Sequence, residues 1–429
     1  MTAMGGAWPL TQAQLGVLLG QQLAGDDSVF YAAECTELEG PFDPVLFEQA
    51  VHATLREATS LHLRIVKHEG GYEQQRIAPR LPALAVQIVE RHSDSDFTAE
   101  LSAQLVRPFD PETGYLYDHR LYRRAPDRHV WLHRAHHLLL DGYGFQLITR
   151  RVAAHYGALV AGETAPPAVF GDLGPVVEAD RAYQESPDRE TDRQFWLNTL
   201  AGLSPKSLCP HPAAGIGRGR RIGSELPAPT VARLKACAQE LNLTWPELLI
   251  AGFAAFLAVH GHGRDVVLGM TNMMRHSGTV ARTPCSVMNV MPLPVPNAER
   301  LSLAAIAEAV RRDMPRLRRH QRYRFEHLEF DLERAGYPHG LLGTEINIMP
   351  FEPPSRFGPC RAYTRTLAAG PVEDLAAVFM ARGDAIILDL DGRPENYDDV
   401  TLRIHWQRIA GFLARALDRP RAPVVDLAT

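Results

Sequence analysis

The sequence predicts an α/β protein, α+β in the arrangement of its elements, made of two halves of similar content. Three observations carry that expectation. The chain has 429 residues with 45% hydrophobic and 22% charged side chains, enough apolar surface for a sizeable core without the charge excess of a disordered polymer. Strand-like and helix-like segments alternate along it, and the alternation is run twice. Between the two runs, residues 161 to about 190 carry Gly, Pro and acidic residues with weak periodicity. We therefore place a first subdomain at 1–165, a linker at 166–190 and a second subdomain at 191–429; no short-period repeat suggests a solenoid or propeller.

In the first half, 47–58 has helical spacing, 61–66 and 129–137 read as short apolar strands, and Phe145, Ile148, Val152 and Tyr156 fall on one face of a helix over 145–160. Gly162 and then Pro166-Pro167 end that helix. In the second half, Thr244-Trp245-Pro246-Glu247 reads as an N-cap, an early proline and a capping-box glutamate ahead of an apolar helix to about Val259. Strands are expected at 265–270, 287–295, 344–351 and 385–391, and helices at 302–319 and 399–417. A turn is expected at Gly261–Asp265. The arginines at 311, 312, 316, 318, 319 and 322 read as a solvated helix face.

Composition excludes several functions. A formal net charge of −5 gives no global basic excess for nucleic acid or anionic lipid. The five cysteines are odd in number, scattered and without a CxxC pair, as expected of reduced thiols in a cytoplasmic protein. No run of about 18 apolar residues suggests a membrane span. The first positive charge is Arg56, so the mildly apolar stretch near Leu15 lacks the charged flank of a signal peptide.

One segment carries chemistry: His136-His137-Leu138-Leu139-Leu140-Asp141-Gly142, an HHxxxDG pattern at the end of a strand, before a turn using Gly142 and Gly144 and an amphipathic helix. Strand alternation puts Trp131, His133, Ala135 and His137 on one face and His136 on the other, so the adjacent histidines have different surroundings and a metal cluster is not expected. A neutral imidazole at a strand end can accept a proton from an attacking amine or hydroxyl. No serine or cysteine sits in a nucleophile-elbow motif, which favours direct transfer over an acyl-enzyme.

This pattern resembles the signature of the coenzyme-A-dependent acyltransferase superfamily, and the chain as a whole resembles a condensation domain of a nonribosomal peptide synthetase. Leu10-Thr11-Gln12-Ala13-Gln14 is similar to that family's opening helix, Leu61-His62-Leu63-Arg64 to its Leu-Arg motif, and Arg107-Pro108-Phe109-Asp110 to its PFD segment. Phe195-Trp196 with Leu200-Ala201-Gly202-Leu203 resembles its aromatic-Trp linker, and Ser286–Leu293, Asn347–Phe351 and Gly370–Leu375 resemble second-half segments in condensation domains of siderophore and lipopeptide assembly lines. The resemblance implies two chloramphenicol-acetyltransferase-like halves in a V-shaped pseudo-dimer with a central tunnel. It implies that His137 is catalytic or positions the amine, that Gly142 lets the backbone approach the thioester, and that His136 is structural. It implies that Asp141 pairs with an arginine, for which Arg64 is the candidate, and that Ser286, Asn289 and Asn347 line the tunnel; burial for packing alone is the competing reading of Ser286 and Asn289.

By the same resemblance the activity is amide-bond formation between a carrier-bound acyl or peptidyl thioester and a carrier-bound aminoacyl group. No cofactor or metal is bound intrinsically, because the substrates arrive on phosphopantetheine arms. The implied partners are donor and acceptor peptidyl carrier domains and a downstream adenylation domain, to whose linker Ala422–Leu427 is similar. Two alternatives stand beside this: a freestanding acyltransferase that esterifies a hydroxylated acceptor or uses coenzyme A, and a docking domain without catalysis.

Overall fold

The computed structural model describes residues 7–110, 114–203, 208–209, 215–261, 265–275, 278–337 and 343–427. The expected turn at Gly261–Asp265 has residues 262–264 outside that set. The chain divides into two compact units, and neither is a continuous stretch. The first comprises 1–184, 275–288 and 353–370; the second comprises 185–274, 289–352 and 371–429. This corrects the boundaries read from the sequence, because two pieces of the expected second subdomain pack into the first unit. Nor is 166–190 only a linker: helices form over Gly174–Gln184 and from Asp188 to Leu200.

The first unit is built on a six-stranded sheet in the order Arg356–Phe357, Cys360–Ala369, Tyr31–Glu39, Arg128–His136, Tyr117–Ala125 and Val86–Ile88, antiparallel except for the last pair. The strand Arg128–His136 is buried along nearly its whole length, its polar His129, His133, Arg134 and His136 included. Helix Gly142–Ala161 follows it, with Phe145, Ile148, Val152 and Tyr156 buried as their spacing requires and Gly162 closing the helix at φ +68°.

The second unit has its own six-stranded mixed sheet, ordered Asn289–Val295, Val266–Asn272, Thr344–Met349, Leu375–Arg382, Ala385–Gly392 and Arg220–Glu225. Helix Trp245–His260 packs under it. Thr244 and Glu247 close a reciprocal capping box, the Thr244 backbone N–H donating to Glu247 Oε2 at 2.7 Å, a device worth about 1 kcal/mol. The helix then buries every residue from Leu248 to Ala258. Trp196 of the aromatic-Trp pair is 1% exposed in this core and donates its indole N–H to the His320 carbonyl at 2.8 Å. Helix Leu303–Arg319 keeps Arg311, Arg312, Arg316, Arg318 and Arg319 on its exposed side. Val424 and Leu427, in the segment expected as a linker, are buried in the same core.

Candidate active site at the end of a buried strand

The motif sits where the strand Arg128–His136 runs out. The His136 N–H donates to the Leu116 carbonyl and the His137 N–H to the Phe30 carbonyl, both at 2.8 Å, so sheet pairing continues to the second histidine and stops there. Leu138, Leu139 and Leu140 are buried in the turn that follows. Asp141 then caps helix Gly142–Ala161, its Oδ1 accepting the Gly144 N–H at 2.9 Å. Gly142 is the exposed first residue of that helix, and neither Gly142 nor Gly144 has positive φ. Gly144 is needed for a close approach, since a Cβ there would stand 2.8 Å from Leu140 Cδ2 and 3.3 Å from the Cys285 carbonyl oxygen.

The two histidines are used differently. His136 is fully buried; its Nε2 lies 2.7 Å from Gln21 Oε1, and its Nδ1 accepts the Leu138 N–H at 3.1 Å. That pair of bonds defines the tautomer: Nε2 carries the proton and donates to Gln21. Burial, with a smaller contribution from His137, pulls its pKa down to about 3, so it is neutral and both nitrogens are occupied. His137 is 7% exposed. Its Nε2 lies 3.0 Å from the Ala369 carbonyl oxygen, and its ring lies against Gly370.

Asp141 is 1% exposed and its second oxygen is saturated. Oδ2 accepts from Arg275 at 2.7 Å and from the backbone N–H groups of Val287 and Met288 at 3.0 and 3.1 Å. The Arg275 side chain, 1% exposed, also donates to the Cys285 carbonyl at 2.6 Å and lies 5.2 Å from the Tyr143 ring. Burial acts to lower the Arg275 pKa, but the Asp141 carboxylate outweighs it and the guanidinium is held above its ordinary value. Cys285 beneath the pair is buried, and desolvation pushes its thiol up to about 12.

Arg64 is therefore not the partner of Asp141. It lies on the exposed side of the strand Leu63–His68, between buried Leu63 and Ile65, and donates to Gln75 Oε1 across the hairpin at 2.9 and 3.2 Å. Asn289, expected on a tunnel wall or buried for packing, is held by the backbone around it. It belongs to the second unit, is 1% exposed, and spends its amide on the backbone: Nδ2 donates to the carbonyls of Gln321 and Tyr323, both at 2.8 Å, and Oδ1 accepts the Phe325 N–H at 3.1 Å. Ser286 is buried next to the amides that grip Asp141. Asn347 is half-buried in the strand Thr344–Met349, whose neighbouring Glu345 has its carboxyl pushed up to about 8 by burial and then by Glu373 and Asp391.

Three participants had no signal in the sequence: Arg275, which lies 134 residues from Asp141; Gln21 beside His136; and Ala369, whose carbonyl meets His137. Gly370 opens a segment singled out by resemblance, but with no link to the histidine. Among the described residues no three His, Cys, Asp or Glu side chains are grouped to hold a metal ion.

The condensation-domain family profile matches residues 4–429. The dimodular nonribosomal peptide synthase of Bacillus subtilis (strain 168) is 35% identical over 416 residues, covering 95% of this chain and 17% of that protein. The isonitrile lipopeptide synthase of Streptomyces coeruleorubidus is 32% identical over 428 residues, covering 98% of this chain and 29% of that protein. The chain thus spans less than a third of the length of these relatives. The first condensation domain of the calcium-dependent antibiotic synthetase, solved in complex with a substrate analogue, superposes with a TM-score of 0.91 at 27% identity, covering 99% of both chains. Its mixed α/β fold, its intact HHxxxDG segment and these likenesses make this chain a member of the condensation-domain family of nonribosomal peptide synthetases.

Proposed function

We propose that the domain joins two carrier-bound substrates. The amine of an aminoacyl group on one phosphopantetheine arm attacks the thioester carbonyl of an acyl or peptidyl group on another; the C–N bond forms, the C–S bond breaks, and the amine proton leaves toward the released thiolate. The observation that carries this reading is the placement of His137 at the end of a strand, directly before a helix whose N-terminus is locked by the buried Asp141–Arg275 pair.

A thioester is already activated, so the protein's task is to orient the amine, take its proton and stabilise the developing oxyanion. His137 is the group with the chemistry for the first two. The N-terminal turn of helix Gly142–Ala161 contributes backbone N–H groups and the positive end of a helix dipole, which favour an oxyanion beside Gly142. His136, neutral with both nitrogens bonded, holds the turn. The partners are donor and acceptor carrier domains and an adenylation domain of the same synthetase. The length of the relatives relative to this chain supports that context.

The test mixes the domain with acyl-carrier and aminoacyl-carrier thioesters, with free amines, free alcohols and coenzyme A thioesters as controls, and follows products by intact-protein mass spectrometry. Acyl transfer onto the carrier-bound amine is expected, falling about 10²–10⁴-fold in His137→Ala. Transfer only from coenzyme A, or only onto a free alcohol, would move the assignment to a freestanding acyltransferase. A folded His137→Ala variant that forms product at the wild-type rate would remove the role given to that histidine.

A further inference from the structure

The second histidine of the motif is held through the first. Backbone groups are bonded at each of residues 136 to 138: the His136 and His137 N–H groups donate to the Leu116 and Phe30 carbonyls, the Leu138 N–H donates to His136 Nδ1 at 3.1 Å, and the Leu138 carbonyl accepts from Gln14 Nε2 at 3.2 Å. The chain is thereby fixed on both sides of His137, and with it the direction in which that side chain leaves the backbone. Two of these bonds lead to helix Gln12–Ala24: Gln14 makes one, and Gln21 holds the ring that makes the other. Gln14, Leu18 and Gln21 share the buried side of that helix over about two turns, whereas Leu19 and Leu23 are exposed.

The direction of every bond in this chain is determined. A carboxylate can only accept, and Asp27 Oδ1 takes the Gln21 Nε2–H at 2.7 Å. Gln21 Oε1 therefore faces His136, and at 2.7 Å from Nε2 it calls for a proton there. With Nε2 protonated, His136 Nδ1 keeps its lone pair for the Leu138 N–H. The His136 ring is fully buried, so without the Gln21 oxygen its Nε2–H would lose its acceptor where water does not reach. Asp27 also opens the 3-10 helix Asp27–Phe30, and the Phe30 carbonyl at its far end accepts the His137 N–H. One short segment thus orients Gln21 and pairs with His137.

We propose that Gln21 is a positioning residue: its amide, oriented by Asp27, fixes the tautomer of His136 and through it the turn that aims His137, a role that rests on His137 being the reacting side chain.

The experiment compares the wild-type domain with Gln21→Met, which fills similar space without an acceptor. The His136 ring signals, assigned through bonds in the folded domain labelled with nitrogen-15 histidine, should show Nε2 protonated and Nδ1 bare in the wild type and a tautomer mixture in Gln21→Met. On carrier-bound substrates, kcat of that variant should fall about tenfold with KM within about twofold. Gln21→Glu combined with Asp27→Asn exchanges donor and acceptor at the outer bond and keeps an acceptor for His136; it should return the wild-type tautomer and a kcat within about threefold of wild type. Gln22→Ala controls for changes in the helix itself, because Gln22 is exposed and donates to the Tyr72 hydroxyl at 2.8 Å; its kcat should be that of the wild type. An Nδ1–H tautomer of His136 in the wild type, an unchanged tautomer or kcat in Gln21→Met, or an equal loss in the exchanged pair or in Gln22→Ala would each overturn the role given to Gln21. Absence of transfer in the wild type would remove the activity and the role together, whereas each of those results leaves wild-type transfer intact.

Discussion

Helix Gly142–Ala161 of the first unit and helix Trp245–His260 of the second do the same architectural work, and their undersides differ. The second buries only apolar residues between Leu248 and Ala258. The first buries Gln146, Thr149, Arg151 and His155 as well as its apolar stripe. Gln146 donates to Glu34 Oε1 at 3.2 Å, and Thr149 approaches Glu34 Oε2 at 3.5 Å. His133 lies 3.3 Å from the same carboxylate. Arg151 donates to Glu57 at 2.5 Å and to the carbonyls of Pro166 and Pro167. Apolar contact is strong but non-directional, whereas buried hydrogen bonds are satisfied in one rotation and one axial position only. The helix that begins at Asp141 and Gly142 is held in register; the other is held in place.

The largest effect expected from that difference is at the start of the first helix. Arg275→Ala leaves the Asp141 carboxylate buried with no counter-charge, and should cost about 3–5 kcal/mol in urea denaturation, with transfer activity lost in the fraction that folds. A loss below about 1 kcal/mol would show that the two backbone N–H groups on Oδ2 suffice and that the lock is not ionic. Leu249→Ala, in the apolar helix, should cost about 3 kcal/mol by leaving a cavity. It should leave kcat unchanged at temperatures where the domain stays folded; a parallel fall in kcat would erase the distinction between the two helices. Gln146→Leu should cost the least, about 1–2 kcal/mol for the partner removed from Glu34. Its kcat should fall several-fold all the same, and an unchanged kcat would mean that the polar underside serves stability alone.

What was legible in the sequence was local. The strand–turn–helix at the motif is written in period-2 and period-3.6 patterns on either side of His136–Gly142, and the capping box at Thr244 lies within four residues. Long-range pairing was not. Arg275 follows two methionines and sits in no periodic pattern, so nothing nearby marks it as the partner of Asp141. Arg64 had a motif in its favour, but strand alternation alone places it opposite the buried Leu63 and Ile65. The helix Gly174–Gln184 was hidden because it starts on Gly-Pro, yet its Asp180 accepts the Gln12 N–H at 2.8 Å and ties it to the opening helix of the first unit. Asn289 shows the converse: a polar residue in a suggestive segment whose amide is consumed by the neighbouring loop.

The interleaving of the chain bears on recombination between synthetases. Residues 275–288 and 353–370 are encoded after the second unit has begun, yet they supply the arginine for Asp141, the carbonyl for His137 and an inner strand of the first sheet. A chimera joined at residues 166–190 would therefore take the motif aspartate from one parent and its arginine from the other. Exchanging whole domains keeps these pairs together, and a half-domain graft needs both return segments to travel with the histidines.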